Sequence, residues 1–436
     1  MRFISLYALA SIILFISACK KDDPSPEQPA SIDYTTVSFT YDKFGSTELY
    51  YMLSSVNPGA KISTGKSSSS FSYELTGSNG LKRASDTLIK GSGTLDGAGN
   101  TTLPLWGLWN YKDGEITLKV HFTATDSTIQ VKTQKIEYQI RNYRDFMYMS
   151  PFGTADTSDH FVQVNDIAFP DTVFTKAPWN SYLLGSYDGK GFKITNLTIK
   201  SPGATSNEIA RIALFAGADS GSVLKNIRLE LSDAGITSTG QVECGGLVAF
   251  ASGCTISQCS VKGNILIPKD VSSFIGGISG HNNKVTMTGC SFRGRITGSN
   301  VGGLMGSMGT SSVINMCYAY FSFDSYAVGG IGSVYSPSSV LSISNSYVVA
   351  HDYTSPTFVA IGPVQYAMTS TTVTNCFANA GTAQTGVTIF ASTTDINTNL
   401  STFTIANWPA EATAPADKKP YKYDTDPTAP MKLWWE

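Results

Sequence analysis

Hydrophobic and polar positions follow three different rhythms along this chain. Between 33 and 140, runs such as TVSFTYDKF, ELYYMLS, SFSYEL, EITLKVHFTA and IQVKTQKIEYQI alternate apolar and polar residues with a period of two. Aromatic and β-branched residues dominate them and Gly, Asn, Asp and Ser clusters separate them, which predicts the short antiparallel strands of an immunoglobulin-like β-sandwich. Lys112-Asp113-Gly114 supplies a hairpin turn just ahead of EITLKVHF. At IRNYRDFMYMS, residues 140–150, the rhythm becomes helical, with Tyr143, Phe146 and Met147 on one side and Met149 near them. That predicts a short helix able to cap the region after it.

The third rhythm is a repeat. IALFAGADSGSVLKNIRLEL, CGGLVAFASGCTISQCSVKG, IGGISGHNNKVTMTGCSFRG, VGGLMGSMGTSSVINMCYAYF, VGGIGSVYSPSSVLSISNSYVVA and VAIGPVQYAMTSTTVTNCFANA are variants of one phrase. Aligned by eye, Leu197, Ile227, Cys259, Cys290, Cys317, Ser346 and Cys376 form one column, with successive spacings of 30, 32, 31, 27, 29 and 30 residues. Gly246, Gly277, Gly303, Gly330 and Ala360 form a second column, 13 to 16 residues ahead of the first. A period near thirty, rich in short β segments and without helical stretches, is the mark of a solenoid whose turns pair in parallel and stack like residues on like. The first column then holds small apolar side chains pointing into the coil. The glycines fall where the backbone corners or the next turn comes too close for a Cβ. Stacked cysteines have Cα atoms about 5 Å apart, within disulfide range, but their parallel Cβ vectors favour free thiols. Cys244 and Cys254, off the column, are the better candidates for a bridge.

These phrases resemble the GLUG-type repeat, a Gly-Leu-x-Gly followed by an Asn-Cys-Tyr-like segment, over about 180–390. The likeness is best in GGLMG and INMCYAYF; Ser346 and Ala360 depart from the pattern. YDGKGFKITNLTI is similar to the entry segment of many bacterial β-helix repeat regions. The resemblance implies a right-handed parallel β-helix and a role in surface attachment or display.

The leader adds a location. MRFISLYALASIILFISAC has one basic residue, an apolar run too short to span a membrane, and Ile-Ser-Ala-Cys at its end. That ending resembles the lipobox of bacterial lipoproteins, which implies cleavage before Cys19 and lipidation of its thiol, so the membrane is a partner through acyl chains. Lys20-Lys21-Asp22-Asp23-Pro24 resembles the export tags of surface lipoproteins in the Bacteroides group, which implies an outer-membrane anchor facing the cell exterior. From Pro24 to about Ile32 the Pro, Ser, Glu and Gln composition reads as a flexible tether. The organisation expected is therefore a signal peptide at 1–18, a tether at 19–32, the sandwich at 33–140, the β-helix at 141–400 and a C-terminal capping tail at 401–436. Trp408, Trp434 and Trp435 belong to that tail, which is expected to fold back over the last turn and cover its open strand edges; an aromatic sugar platform is the competing reading.

Composition narrows the chemistry. Net charge is −2 and charged residues are 15% of the 436, so nothing favours a nucleic-acid partner. His121, His160, His281 and His351 form no His-Glu-x-x-His; His121 reads as a strand-surface residue and the others sit near turns without spaced ligand partners, so neither metal nor cofactor is expected. A β-helix polysaccharide lyase or glycoside hydrolase needs converging carboxylates, or acids holding calcium beside a base. No two acids between 201 and 400 share a column in neighbouring turns, and no Lys or Arg lies between 296 and 417. Asp166, Asp171 and Asp188 are the densest acidic group, with Asp188-Gly189 reading as a turn. The expectation is an all-β surface adhesin or binding module for glycans or host proteins, not an enzyme. A lyase or hydrolase of a glycan-uptake system and a structural stalk or fimbria-associated subunit are the alternatives. Tyr318, Tyr320, Tyr326, Tyr335, Tyr347 and Tyr353 are candidates for the contact face.

Overall fold

In a computed structural model of the chain, the described residues are 38–41, 58–63, 70–76, 87–98, 100–104, 116–123, 127–133, 137–150 and 160–436, the last without 205–208, 335–339, 356, 363–369, 383 and 427–428. The leader, Cys19, the tether and Tyr335 lie outside them.

The alternating N-terminal runs form two antiparallel sheets. One joins Ser38–Tyr41, Pro58–Ser63 and Asn100–Pro104; the other orders Thr87–Thr94, Ser70–Thr76, Ile116–Phe122 and Ser127–Thr133 side by side. The immunoglobulin-like packing expected of this region lies outside the described residues.

From residue 137 the chain is a parallel β-solenoid of about seven turns, built of three parallel sheets around one core. The first face has 13 strands, the second six and the third nine. Glu137–Ile140, expected to close the sandwich, is instead the edge strand of the third face, pairing in parallel with His160–Gln163. The predicted helix, α1 at Tyr143–Met149, follows at once, its N-terminus capped by the Asn142 side chain, which accepts from Arg144 N and Asp145 N at 2.9 and 3.1 Å. Phe146 is fully buried, edge-on to Trp179 and Phe215 at 5.2 and 5.1 Å, so the helix gives the first turns an aromatic plug.

One local device repeats at every corner between the third and first faces. Asn226, Gln258, Gly289, Met316, Asn345 and Asn375 all have φ between 50° and 61°, and the residue after each points inward. Those next residues are Ile227, Cys259, Cys290, Cys317, Ser346 and Cys376, all buried. Strand register stacks them, since Arg228 pairs with Ser260, Ser260 with Ser291, Ser291 with Tyr318, Tyr318 with Tyr347 and Tyr347 with Phe377. The cysteines share more than size. The thiols of Cys259, Cys290, Cys317 and Cys376 each donate to the carbonyl two residues back, at 3.2 to 3.5 Å, and Ser346 Oγ does the same at 2.7 Å. Each of these carbonyls already accepts a backbone N–H from the preceding turn, and its second lone pair satisfies the buried side-chain donor, so serine substitutes for cysteine. Leu197 does not belong to this column. Lys193 pairs with Arg228, so Phe192 precedes Ile227, while Leu197 pairs with Leu231 across a bulge. Asn196-Leu197 repeats the wording and the positive φ of Asn226-Ile227, but it lies at a bulge inside the strand and not at the corner.

At the second column a methyl on Gly277 would lie 2.6 Å from Phe292 Cβ and closer still to the Gly303 carbonyl. These glycines admit the neighbouring turn. All six described cysteines are free, Cys244 and Cys254 included.

The C-terminal tail departs from its expected place. It begins with an unpredicted helix, α2 at Thr393–Thr402, capped by Ser392, so it crosses the expected boundary at 400. Phe390 and Phe403 meet Phe377 of the last turn at 6.0 and 5.8 Å, but the rest does not stay over the open end. It doubles back along the flank of the first face. Tyr421 donates to the carbonyls of Cys317 and Asn345, Arg293 donates to Pro430 O at 3.1 Å, and Trp435 Nε1 donates to Gly289 O at 2.9 Å. Trp434 packs edge-on to Trp408 at 4.9 Å and donates to Thr413 O, so these two indoles fasten the tail to itself.

Candidate functional site

With the ladder inside and the tail on one flank, two polar surfaces remain where chemistry can occur. The first is the outer row of the long strand Tyr318–Gly329 and its neighbour. Alternation sends Ala319, Phe321 and Phe323 into the core and presents Tyr318, Tyr320, Ser322, Asp324 and Tyr326 outward. The tail divides the row. Tyr318 and Tyr347, expected on an open face, are fully buried beneath it, stacked at 4.9 Å with rings 6° apart; Arg293 and Glu436 hydrogen-bond to Tyr318 and Tyr347 donates to Met431 O. Beyond the tail the row is open. Tyr320 is half-buried against His351 at 4.6 Å, Tyr326 is 56% exposed and Tyr353 is 45% exposed. Phe323 stacks beneath Tyr353 at 5.1 Å, and Lys269, paired with Asp324 at 2.8 Å, stands 5.8 Å from the Tyr326 ring. Tyr320 and Tyr353 are thus held by ring contacts with the adjoining turn, Tyr353 on the Phe323 side of the strand, and Tyr326 stands beside a cation.

The second is a buried carboxylate at the corner between the first and second faces. Glu243 is 3% exposed, on strand Val242–Gly245. Its Oε2 accepts from Arg211 Nε and its Oε1 meets His281 Nδ1, both at 2.8 Å. Arg211 lies one turn earlier, directly opposite Glu243 in register. Its guanidinium packs over Phe250 at 4.6 Å and Tyr182 at 5.4 Å, and Nη1 donates to the Tyr182 hydroxyl. His281 is in register with Phe250, within strand Ser279–Asn283 rather than near a turn, with its ring 5.4 Å from both Phe250 and Phe274. Burial pushes the Glu243 carboxyl up, and the His281 and Arg211 bonds outweigh it, leaving the pKa below its ordinary value.

The search for paired acids along the sequence missed this cluster because its members carry opposite charges. Its signal was present, since Arg211 and Glu243 are 32 residues apart and Phe250 and His281 are 31, one solenoid period each. Asp166, Asp171 and Asp188 are engaged separately. Asp166 accepts from Lys193 N, Asp171 from the Asn196 amide, and Asp188 from the Asn226 amide and Lys190 N, with Lys190 and Lys225 as ion partners. His160 meets Ser186 Oγ at 2.5 Å, and His121 lies in the N-terminal strand Ile116–Phe122. Among the described residues no three His, Cys, Asp or Glu side chains gather as metal ligands, and no helix is long and apolar enough to cross a membrane. The column cysteines are sealed inside, with burial pushing the Cys376 thiol up to about 12. No family model and no curated protein matches the chain.

Proposed function

We propose that this chain is a lipid-anchored surface adhesin, a glycan-binding module held to the outer membrane through Cys19. In this reading the N-terminal strands form an immunoglobulin-like spacer, and the solenoid is a right-handed coil of the GLUG-like kind that the repeat phrases resemble. One observation carries it: the tail covers Tyr318 and Tyr347 but stops short of half-buried Tyr320 and of Tyr326 and Tyr353, which are exposed, with Tyr320 and Tyr353 held by rings of the adjoining turn. Rings held in one orientation lose little entropy when a sugar face stacks on them, and a row of them suits weak, repeated contacts.

The test is a glycan array probed with the mature protein, repeated with Tyr326→Ala and Tyr353→Ala together. Both positions are exposed, so the double variant should fold and lose at least 10-fold in apparent affinity for every glycan the parent binds. Unchanged binding removes the row from the site, and release of cleavage products replaces the adhesin with an enzyme. Separately, Cys19→Ala should shift the protein from membranes to the soluble fraction; full retention overturns the anchor.

A further inference from the structure

The Arg211 cluster opens onto a cleft of about 360 Å³ that the aromatic row does not share. Its lining includes Lys176, Asn180, Tyr182, Ser201, Ile209 and Arg211, and none of its described lining residues is Asp or Glu. Glu243 stands behind the wall, not in it, and both its oxygens are taken, one by Arg211 Nε and one by His281. The Phe250 ring packs against the guanidinium at 4.6 Å, and the Tyr182 hydroxyl accepts from Nη1. Arg211 is thus fixed on three sides with its side chain 35% exposed, and its Nη2 donates to no described residue. With Nε and Nη1 both held, Nη2 is the donor left in a fixed place to meet an oxyanion.

The surroundings fit the same guest. Lys176 is exposed and makes no ion pair with a described residue. Asn180, exposed, accepts from Ser150 Oγ at 3.0 Å through Oδ1, and its amide nitrogen is a donor. Ile209, 39% exposed, and Ala216 give an apolar surface on which a pyranose ring can rest. Two cations and an amide donor thus stand at the opening, and an apolar patch lies alongside.

We propose that this cleft binds the acidic substituent of an anionic saccharide, a carboxylate or a sulfate, with Arg211 as the anchor and Lys176 as the second cation. Glu243 and His281 are positioning residues, acting through Arg211. The inference takes its ligand class from the glycan-binding reading but rests on different residues, so each can fail alone.

The experiment is titration calorimetry on the mature chain at low and moderate salt. The probes are an oligouronate and its carboxyl-reduced form, and a sulfated glycosaminoglycan oligosaccharide and its desulfated form. At least one acidic probe should bind 10-fold or more tighter than its neutral counterpart, and that preference should shrink with salt. A carboxylate preference and a sulfate preference both support the proposal and name the source. Arg211→Lys keeps a cation for Glu243 and should still lose 10-fold for the acidic probe, because an ammonium cannot hold Glu243 and Tyr182 and present a further fixed donor to the ligand. Lys176→Ala changes an exposed, unpaired residue and should lose about 3-fold at unchanged melting temperature, so weak folding of the first variant cannot mask the answer. Equal affinity for acidic and neutral probes overturns the proposal, as does acidic-probe affinity untouched by both variants. Acidic binding that survives Tyr326→Ala with Tyr353→Ala sustains the cleft while removing the aromatic row; array binding confined to neutral glycans does the reverse.

Discussion

Replacing Gly303 by alanine tests the stacking of turns with a single methyl group. The new Cβ would lie 2.7 Å from Ala319 Cβ, 2.9 Å from Phe321 Cε1 and nearer still to the Gly330 carbonyl oxygen of the next turn, where ordinary contacts begin at 3.4 Å. Nothing at the site can yield by rotation, because the closest atom is backbone. The turn must move away instead, and turns are only about 4.8 Å apart. That movement lengthens the bond from Gly303 N to Gly329 O, now 3.1 Å. Overpacking costs about 1–3 kcal/mol, and a buried donor left without its acceptor about 1–3 kcal/mol more. A loss of roughly 3 kcal/mol lowers the melting temperature of a domain this size by about 5 °C. The assay is urea and thermal unfolding followed by circular dichroism. Lys262→Ala serves as the control, an exposed position on the same face that should stay within about 0.5 kcal/mol of the parent. A Gly303→Ala protein that melts within a degree of the parent would show that neighbouring turns do not approach at this corner, and the register built on it would be wrong.

Other perturbations probe other parts of the molecule. Glu243→Gln leaves Arg211 and His281 without a carboxylate; breaking a buried pair costs about 3–5 kcal/mol, and with the Arg211 side chain 35% exposed the loss falls to about 2 kcal/mol by chemical denaturation. Because the folded carboxyl titrates below its ordinary 4.5, its contribution is complete above that pH and disappears as the pH falls through the lowered value. The parent should therefore lose stability on acidification below about 4.5 more steeply than Glu243→Gln, and parallel curves would refute the pairing. Tyr421→Phe strands the carbonyl of Asn345, which accepts from its hydroxyl at 2.6 Å, while the Cys317 carbonyl keeps the Tyr347 N–H, and should cost about 1–3 kcal/mol; no change in the denaturation midpoint would argue that the tail does not seal this flank. Ellman's reagent should leave the six coil cysteines of the native protein unlabelled over minutes and label all six in guanidinium, since all are buried and burial pushes the Cys254 thiol up to about 12. Fast native labelling would place the ladder outside the core.

The solenoid was legible because its period is a local property: a residue buried at a corner in one turn must be matched a turn later, so Ile227, Cys259, Cys290, Cys317, Ser346 and Cys376 announce themselves by spacing. Leu197 shows the limit of counting. A bulge adds residues without adding a turn, and the wording of a corner can recur inside it. The tail shows another. Its tryptophans and prolines marked a covering segment, but composition carries no direction, and only the stacked Tyr318 and Tyr347 with Arg293 between flank and tail explain why it lies alongside the coil.

By itself the sequence determined that the chain coils, which positions face inward, and that glycine must stand where one turn meets the next, because these follow from backbone reach and repeated side-chain size. The tertiary structure alone decided which tyrosines meet water and which basic group stands beside which acid. Those depend on residues a whole turn or a whole tail apart, such as Arg211 with Glu243 and Tyr347 with Met431. The physical reason is that periodicity sets the depth of a residue in the coil, while its partner across a gap is chosen by where the chain is carried afterwards.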